Sequence, residues 1–194
     1  MLRALLITGL VILVGCSSGG SGRAPNSLDN ACGIIRERPS YLKAFKAVES
    51  KYRVPVATQM AMIHQESKFI SDARTPFRYR LGVIPVGRQS SAFGYSQALD
   101  GTWDEYLEEA GRWGARRDNI RDATDFMGWY LTKSNERNGI ALNDTRRLYL
   151  SYHEGHTGYA RGSYRAKGWL VNVAKKVEDR AIMYDGQLRA CGKI

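Results

Sequence analysis

The stretch Met60-Ala61-Met62-Ile63-His64-Gln65-Glu66-Ser67-Lys68-Phe69 combines an apolar helical pattern with one carboxylate near its end. Apolar residues recur at helical spacing from Val56 to Ile63, which predicts a buried stripe on an α-helix. Glu66 stands where that stripe ends. A carboxyl group packed partly against apolar side chains has a raised pKa and can hold a proton near neutral pH. The residues alone leave two interpretations open, a proton-donating glutamate and a solvated glutamate at a helix end.

The segments around this stretch also read mainly as helices. Residues 40–53 form a predicted helix that Ser40 can cap, and Pro55 is suited to open the helix that carries Glu66. Two further helices are predicted over residues 101–113 and 119–133. We expect the aromatic side chains of these helices to pack in the core rather than to stack on sugars. The predicted core residues, aromatic and aliphatic, are Trp103, Tyr106, Leu107, Ile120, Phe126, Trp129 and Tyr130.

Three motifs, taken together, resemble the lytic transglycosylases, the lysozyme-like enzymes that cleave bacterial peptidoglycan. Gln65-Glu66-Ser67-Lys68-Phe69 is similar to the family's Glu-Ser-x-Phe motif. Ala92-Phe93-Gly94-Tyr95-Ser96-Gln97-Ala98-Leu99 resembles Gly-Leu-Met-Gln, and residues 148–159 resemble Ala-Tyr-Asn-Ala-Gly-x-Gly. Residues 164–173 look like the closing helix that lines the cleft in relatives. The resemblance covers about residues 41–185, and it implies a mainly α-helical, lysozyme-like (goose-type) single domain with a possible small β-hairpin.

The resemblance also implies the site. Glu66 would be the catalytic acid, and Thr75 would lie beside it. Glycine allows the backbone to approach a sugar, and a glutamine amide offers a donor and an acceptor to an acetamido group. The substrate-binding residues implied in this way are Thr75, Gly94, Tyr95, Ser96, Gln97, Tyr152, His153, Glu154 and Tyr164. The implied reaction cleaves the β-1,4 bond after N-acetylmuramic acid with formation of a 1,6-anhydro ring and needs no cofactor.

The chain departs from the family pattern at several positions. Tyr95 and Ser96 replace Leu and Met, and His153 and Glu154 replace Asn and Ala. The additional carboxylate of Glu154 leaves open a hydrolysing muramidase with two carboxylates, and the altered motifs leave open a wall-binding lipoprotein without activity. The His-Glu-Gly-His run is one residue short of the His-Glu-x-x-His zinc motif, so we predict no metal site there.

Residues 77–89 lengthen the spacing between the first two motifs. Their β-branched and aromatic residues between glycines predict two short strands. Such an insertion beside the site either shapes the cleft floor and contacts a glycan strand or is a simple elongated loop.

Length and charge restrict the partners. The chain has 194 residues, which is enough for one domain with a hydrophobic core. Its formal net charge of +10 predicts a basic surface. A basic surface suits nucleic acid, anionic lipid or the carboxylate-bearing cell wall. The sequence contains no recognisable nucleic-acid-binding motif, and charge alone does not choose among the other partners. Peptidoglycan is the partner that the resemblance implies, and no protein partner is identified.

The N-terminus reads as a targeting segment. Residues 1–15 resemble a lipoprotein signal peptide that ends in a lipobox before Cys16, an ordinary signal peptide or short anchor being the alternative. Lipidation of Cys16 would attach the protein to a membrane, and Ser17 favours the periplasmic face of the outer membrane. Residues 16–31 are predicted to be a flexible tether, and residues 32–194 the enzyme domain.

Two cysteines remain for the folded domain. Cys32 and Cys191 stand near its two ends, and export to an oxidising compartment favours a disulfide between them. The alternative is a pair of buried thiols.

Overall fold

The computed structural model describes residues 22–194, so the predicted signal peptide, Cys16 and the tether up to residue 21 lie outside the described residues. The described part contains seven α-helices, one short 3-10 helix and a two-stranded antiparallel sheet. The helices are α1 (Ala31–Glu37), α2 (Pro39–Tyr52), α3 (Val56–Ser67), α4 (Asp100–Ala110), α5 (Ile120–Asn138), α6 (Thr145–Ala160) and α7 (Gly168–Ala190). The strands are β1 (Phe77–Arg80) and β2 (Ile84–Arg88), and the 3-10 helix is Ser163–Ala166. The predicted mainly α-helical fold with a small hairpin is confirmed.

Helix α3 is the central element of the core. It packs against α7, α2 and α5, and every residue from Val56 to His64 is buried. Met60, Met62 and Ile63 have no exposed surface. A helix that is apolar around most of its circumference is stable only when other elements cover it on all sides. The core therefore fixes the position of the residues at the end of α3, including Glu66.

A second, aromatic cluster lies between α4 and α5. Rings of neighbouring residues meet at centroid distances of 5.2–6.3 Å, mostly in tilted or edge-on arrangements. The prediction that these aromatics are core is confirmed for Trp103, Tyr106, Phe126, Trp129 and Tyr130, which are buried. Leu107 and Ile120 are partly buried at the edges of the two cores.

Residues 22–30 belong to the folded domain, which corrects the predicted tether boundary at residue 31. Leu28 packs against the main core, and its carbonyl accepts hydrogen bonds from Tyr184 and Arg180 of α7. Arg180 also forms an ion pair with Asp29 at 2.8 Å. Helix α1 then begins at Ala31, with the Asn30 side chain accepting from the Gly33 amide. The sequence pattern missed α1 because the helix is only seven residues long.

A disulfide joins the two ends of the domain, as predicted. Cys32 in α1 and Cys191 after α7 are bonded, with their Cα atoms 6.6 Å apart and 159 positions apart in sequence. The Gln187 side chain of α7 reinforces this junction, accepting from the Ala31 amide at 2.7 Å and donating to the Asp29 carbonyl at 2.9 Å.

Some helix ends differ from the predictions. Helix α2 begins at Pro39 with Arg38 in the capping position, so Ser40 lies inside the helix and is not its cap. The final helix begins at Gly168, because the segment at Tyr164 forms a 3-10 turn first. Helix α6 is bent at Gly155, whose φ of 75° and ψ of 157° are not helical. Within residues 22–194, no helix is long and apolar enough to cross a membrane.

Candidate active site

Glu66 lies in the last turn of α3, partly buried at the edge of the core. Lys68 ends the helix in a left-handed conformation, and the fully buried Phe69 follows it. Burial raises the Glu66 pKa from its ordinary value of 4.5 to about 7, although a hydrogen bond from Tyr149 and the charge of Lys68 act in the opposite direction. A carboxyl group with this pKa is divided between its acid and base forms at neutral pH, as a group that both donates and removes protons requires.

Helix α6 brings two tyrosines to this carboxyl group. The buried Tyr149 donates its hydroxyl hydrogen to Glu66. Tyr152, one of the predicted substrate-binding residues, lies within electrostatic range of Glu66 and donates to the Ser96 carbonyl at 2.6 Å. Burial raises the pKa of each phenol far above the ordinary value for tyrosine, so both hydroxyls are neutral donors at physiological pH. Tyr149 therefore orients the carboxyl group, while Tyr152 connects α6 to the loop opposite.

That loop, residues 92–99, has a fixed shape. The Gln97 amide nitrogen donates to the carbonyls of Ala73 and Gly94 at 2.9 and 2.8 Å. Both amide hydrogens are thereby used within the protein, so the group that Gln97 can offer a ligand is its acceptor oxygen. Gly94 has a φ of 79°, a conformation that L side chains rarely adopt.

We expect Gly94→Ala to be strongly destabilising. A Cβ atom at this position would lie 2.1 Å from the Arg117 carbonyl oxygen, a clash that only a backbone shift relieves. Together with the positive φ, this should cost about 3 kcal/mol or more in the free energy of unfolding. Gly186→Ala is the matched control, because its Cβ meets nothing within 4 Å inside α7 and should be neutral or stabilising. Equal unfolding midpoints for the two variants, in denaturant titration or on heating, would contradict this prediction.

Two residues of the same loop are not placed to contact a substrate, which corrects the sequence prediction. Tyr95 is 4% exposed, and its hydroxyl lies 3.0 Å from the Tyr41 hydroxyl in the core. Ser96 has no exposed surface, and its hydroxyl lacks a hydrogen-bond partner among the described residues. Both of these more polar residues face inward, and Tyr41 provides a hydrogen-bond partner for Tyr95.

Thr75, predicted to lie beside Glu66, makes its side-chain hydrogen bonds with Ser90. Its hydroxyl donates to the Ser90 carbonyl at 2.9 Å and accepts from the Ser90 amide at 3.3 Å. The Thr75 carbonyl accepts from Arg88 at 2.7 Å. Thr75 thus closes the base of the β1–β2 hairpin, because the long insertion after it brings Ser90 back to its side.

A cleft of about 220 Å³ lies beside Tyr152, between the 92–99 loop and the bend of α6. Its lining includes four residues of the predicted site, Gln97, Tyr152, His153 and Glu154. The remaining lining residues are Ala98, Leu99, Thr102, Phe126, Tyr130 and Gly155. Gly155, at the bend of α6, and Gln97 thus line the same cleft from opposite sides.

Glu154 is held by three donors. Lys167 lies 2.7 Å from its carboxylate, His153 lies 3.2 Å away, and the Ser163 hydroxyl also donates to it. Partial burial opposes ionisation, but the hydrogen bonds from Lys167, Ser163 and His153 outweigh it and hold the Glu154 pKa at about 2. The carboxylate therefore ties α6 to the 3-10 turn that precedes α7.

The remaining aromatic residues of this region have separate roles. Tyr164 is partly buried and stacks on Tyr159 with ring centroids 5.2 Å apart, so one face of its ring is occupied within the protein. His156 stacks on Tyr130 at 4.2 Å, whereas His153 meets the ring of Trp169 edge-on at 5.3 Å. The two imidazoles thus point to different neighbours. Among residues 22–194, no group of three metal-ligating side chains converges.

Two residues that sequence reasoning did not assign to the site belong beside it. Tyr149 contacts the Glu66 carboxyl group, and its position three residues before Tyr152 was the available signal, because residues at that spacing share a helix face. Trp169 lies in the segment that resembles the closing helix of relatives, and 58% of its surface is exposed next to His153. An exposed indole at the rim of a cleft is a surface on which a sugar ring can stack.

The Tyr149 contact makes a testable prediction about pH dependence. Because the hydrogen bond favours the ionised carboxylate, Tyr149→Phe should raise the Glu66 pKa and move the alkaline limb of the rate profile to higher pH. Loss of a hydrogen bond to a charged group should also lower the rate about 10- to 100-fold. Tyr159→Phe is the control, since its hydroxyl accepts from Arg147 at 2.9 Å on the same helix. An unchanged limb in Tyr149→Phe would refute the assignment.

Comparison with known proteins agrees with this geometry. No curated protein matches the chain significantly by sequence. A family model, described as the transglycosylase SLT domain, matches residues 4–191. This match spans nearly the whole chain, including Glu66, the 92–99 loop and α6. The chain therefore belongs to the transglycosylase SLT domain family.

Proposed function

We propose that this protein is a peptidoglycan lytic transglycosylase that cleaves the bond between N-acetylmuramic acid and N-acetylglucosamine and leaves 1,6-anhydromuramoyl ends. Family membership supports lytic activity on peptidoglycan in general. The observation that carries the finer proposal is the state of Glu66, a partly buried carboxyl group with a pKa of about 7 that Tyr149 contacts.

Glu66 acts in both steps of the proposed reaction. Its acid form donates a proton to the bridging oxygen, so that the C1–O bond breaks and the N-acetylglucosamine 4-hydroxyl leaves. The substrate's own acetamido oxygen stabilises the positive charge at C1 of the muramoyl residue. The Glu66 carboxylate then removes the proton from the muramoyl 6-hydroxyl, and O6 bonds to C1. The carboxyl group is restored, and no water is consumed.

The surroundings of Glu66 support a mechanism with one carboxylate. Glycosidases with two carboxylates hold them roughly 5–9.5 Å apart, where each charge raises the pKa of the other. The groups that shift the Glu66 pKa are Tyr149 and Lys68 together with burial, and neither is a carboxylate. Glu154 is engaged by Lys167, Ser163 and His153 instead.

The decisive experiment is mass spectrometry of the soluble products released from purified peptidoglycan, with and without borohydride reduction. Anhydro products lack one water relative to hydrolysis products and resist reduction, whereas a reducing-end muramic acid is converted to its alditol. Binding to peptidoglycan without release of muropeptides at any pH would favour a non-catalytic wall-binding protein.

Glu154→Gln distinguishes this proposal from a hydrolysing muramidase. We expect the variant to keep its activity within about tenfold and to lose stability, because the amide weakens the contacts with Lys167 and Ser163. A Glu154→Gln protein as inactive as Glu66→Gln, together with reducing-end products from the wild type, would overturn the transglycosylase assignment in favour of hydrolysis.

We also propose that the protein is a lipoprotein anchored through Cys16 at the periplasmic face of the outer membrane. The apolar run before Cys16 and the serine after it support this location. Mass spectrometry of the N-terminal peptide of the membrane-bound protein that finds no acyl chains on Cys16 would count against it.

A further inference from the structure

The β1–β2 hairpin is exposed on both faces. Its strands pair with each other in antiparallel register, and within the described part of the chain neither strand packs extensively on a helix. All nine strand residues are exposed except Arg88, which is partly covered. Exposed ribbons of this kind are normally polar, since apolar edges invite association.

Most side chains of this ribbon are apolar nevertheless. Leu81 is 86% exposed and Val83 76% exposed at the turn, and about half the surface of Ile84 and Val86 is open. Most of the large exposed apolar side chains of the described chain therefore lie in one hairpin. Contiguous exposed apolar surface marks a site that another molecule or a membrane covers.

The charge of the same segment selects the covering surface. Residues 73–99 contain four arginines and neither aspartate nor glutamate. Arg78 and Arg80 alternate with the aromatic residues of β1, and Arg88 lies over the Phe77 ring at 4.2 Å. The partner must therefore provide both an apolar region that can cover the aliphatic side chains and a negative charge that attracts the arginines.

The order of residues along the ribbon fits a bilayer interface. Aliphatic side chains occupy the turn, and tyrosine, phenylalanine and arginine lie behind them toward the base. In a membrane interface, aliphatic groups enter the acyl boundary while aromatic rings and arginines remain at the headgroups. From Phe77 to Leu81 the strand is about 13 Å long, more than the roughly 5–10 Å depth that interfacial elements reach.

We infer that the β1–β2 hairpin inserts its turn into the surface of an anionic phospholipid bilayer. A glycan strand offers polar faces that favour hydrogen bonds and aromatic stacking, which Leu81, Val83 and Val86 do not provide. The inference depends neither on the lipid anchor at Cys16 nor on the chemistry of Glu66. An anchor restricts distance from the membrane, whereas an inserted hairpin also fixes which face of the domain points away from it.

A fluorophore at the turn tests this directly in the full chain. Val83→Cys would be labelled with an environment-sensitive thiol dye, with Cys32 and Cys191 protected by their disulfide. Wild-type protein treated identically reports any labelling of Cys16. On vesicles of phosphatidylcholine with phosphatidylglycerol, the Val83 label should shift to shorter wavelength and be quenched by shallow spin-labelled lipids. Ile182→Cys is the matched control, an apolar position on α7 that is 67% exposed and should not respond.

Charge variants test the lipid specificity. Arg78→Gln and Arg80→Gln should each weaken the response to phosphatidylglycerol vesicles about fivefold, and added salt should reduce it further. An equal response at Val83 and Ile182, an equal response on pure phosphatidylcholine, or a response to soluble glycan strands but not to vesicles would each overturn the inference. Circular dichroism of each variant confirms that the domain is folded.

Discussion

Glu66→Gln should reduce muropeptide release at least about a thousandfold, because both proton transfers of the proposed reaction depend on this group. The amide has nearly the same shape as the acid, so the contact with Tyr149 and the packing at the end of α3 should be preserved. It can neither protonate the bridging oxygen nor accept the proton of the 6-hydroxyl. Initial rates on purified peptidoglycan would measure the loss.

The pH profile of the wild type and the peptidoglycan binding of the Glu66→Gln variant complete this test. The acid form of Glu66 is needed for bond cleavage, and its pKa is about 7, so activity should fall as pH rises through about 7. Glu66→Gln should still bind peptidoglycan. Residual activity within tenfold of the wild type would show that another group supplies the proton.

The same variant should change the pH dependence of stability. The Glu66 pKa rises from 4.5 to about 7 on folding, so folding takes up a proton between these values. The wild type is therefore favoured at low pH and loses this stabilisation as pH rises through about 7. Glutamine does not titrate, so Glu66→Gln should gain about 1–3 kcal/mol relative to the wild type between pH 4 and pH 8. Denaturant titrations at both pH values would measure this difference.

Removal of the Cys32–Cys191 disulfide should produce the largest loss of stability. The bond closes a loop of 159 positions, and in the chain-entropy model such a loop stabilises the fold by about 4–5 kcal/mol. For a domain of this size, that loss corresponds to a decrease in melting temperature of roughly 10–20 °C. The double variant Cys32→Ser with Cys191→Ser, measured by calorimetry, tests this value.

We expect the reduced protein to remain folded and active at low temperature. Gln187 and Arg180 continue to hold residues 28–31 against α7 through hydrogen bonds that do not depend on the disulfide. Cys16→Ser is the control and should leave the melting temperature unchanged. A double variant with wild-type stability would contradict the prediction and would show that the disulfide adds nothing to the stability that the noncovalent contacts provide.

The sequence predicted the architecture well where its patterns were long. The apolar stripe before Glu66 predicted α3, and the spacing of Trp103, Phe126 and Trp129 predicted a buried aromatic face. The alternation of glycines with β-branched residues predicted the hairpin. In each case a single local periodicity determines which side chains are buried.

The site was predicted less completely, because its details depend on contacts between distant segments. The Thr75 hydroxyl bonds with Ser90 only because the hairpin returns the chain to that point. Tyr95 is buried because Tyr41, 54 positions earlier, faces it across the core. The choice between Tyr149 and Tyr152 as the partner of Glu66 depends on the rotation of α6 about its axis, which the spacing of residues does not determine.

The junction of Cys32 with Cys191 also determines how the domain bears mechanical load. Tension applied between the chain before Cys32 and the chain after Cys191 passes through the disulfide, and the segment between the two cysteines is bypassed. Such a force can therefore lengthen only the residues outside that loop. Reduction would release 159 residue steps, or about 500 Å of extended chain. The oxidised domain therefore resists being unravelled by a force that acts on its two chain ends.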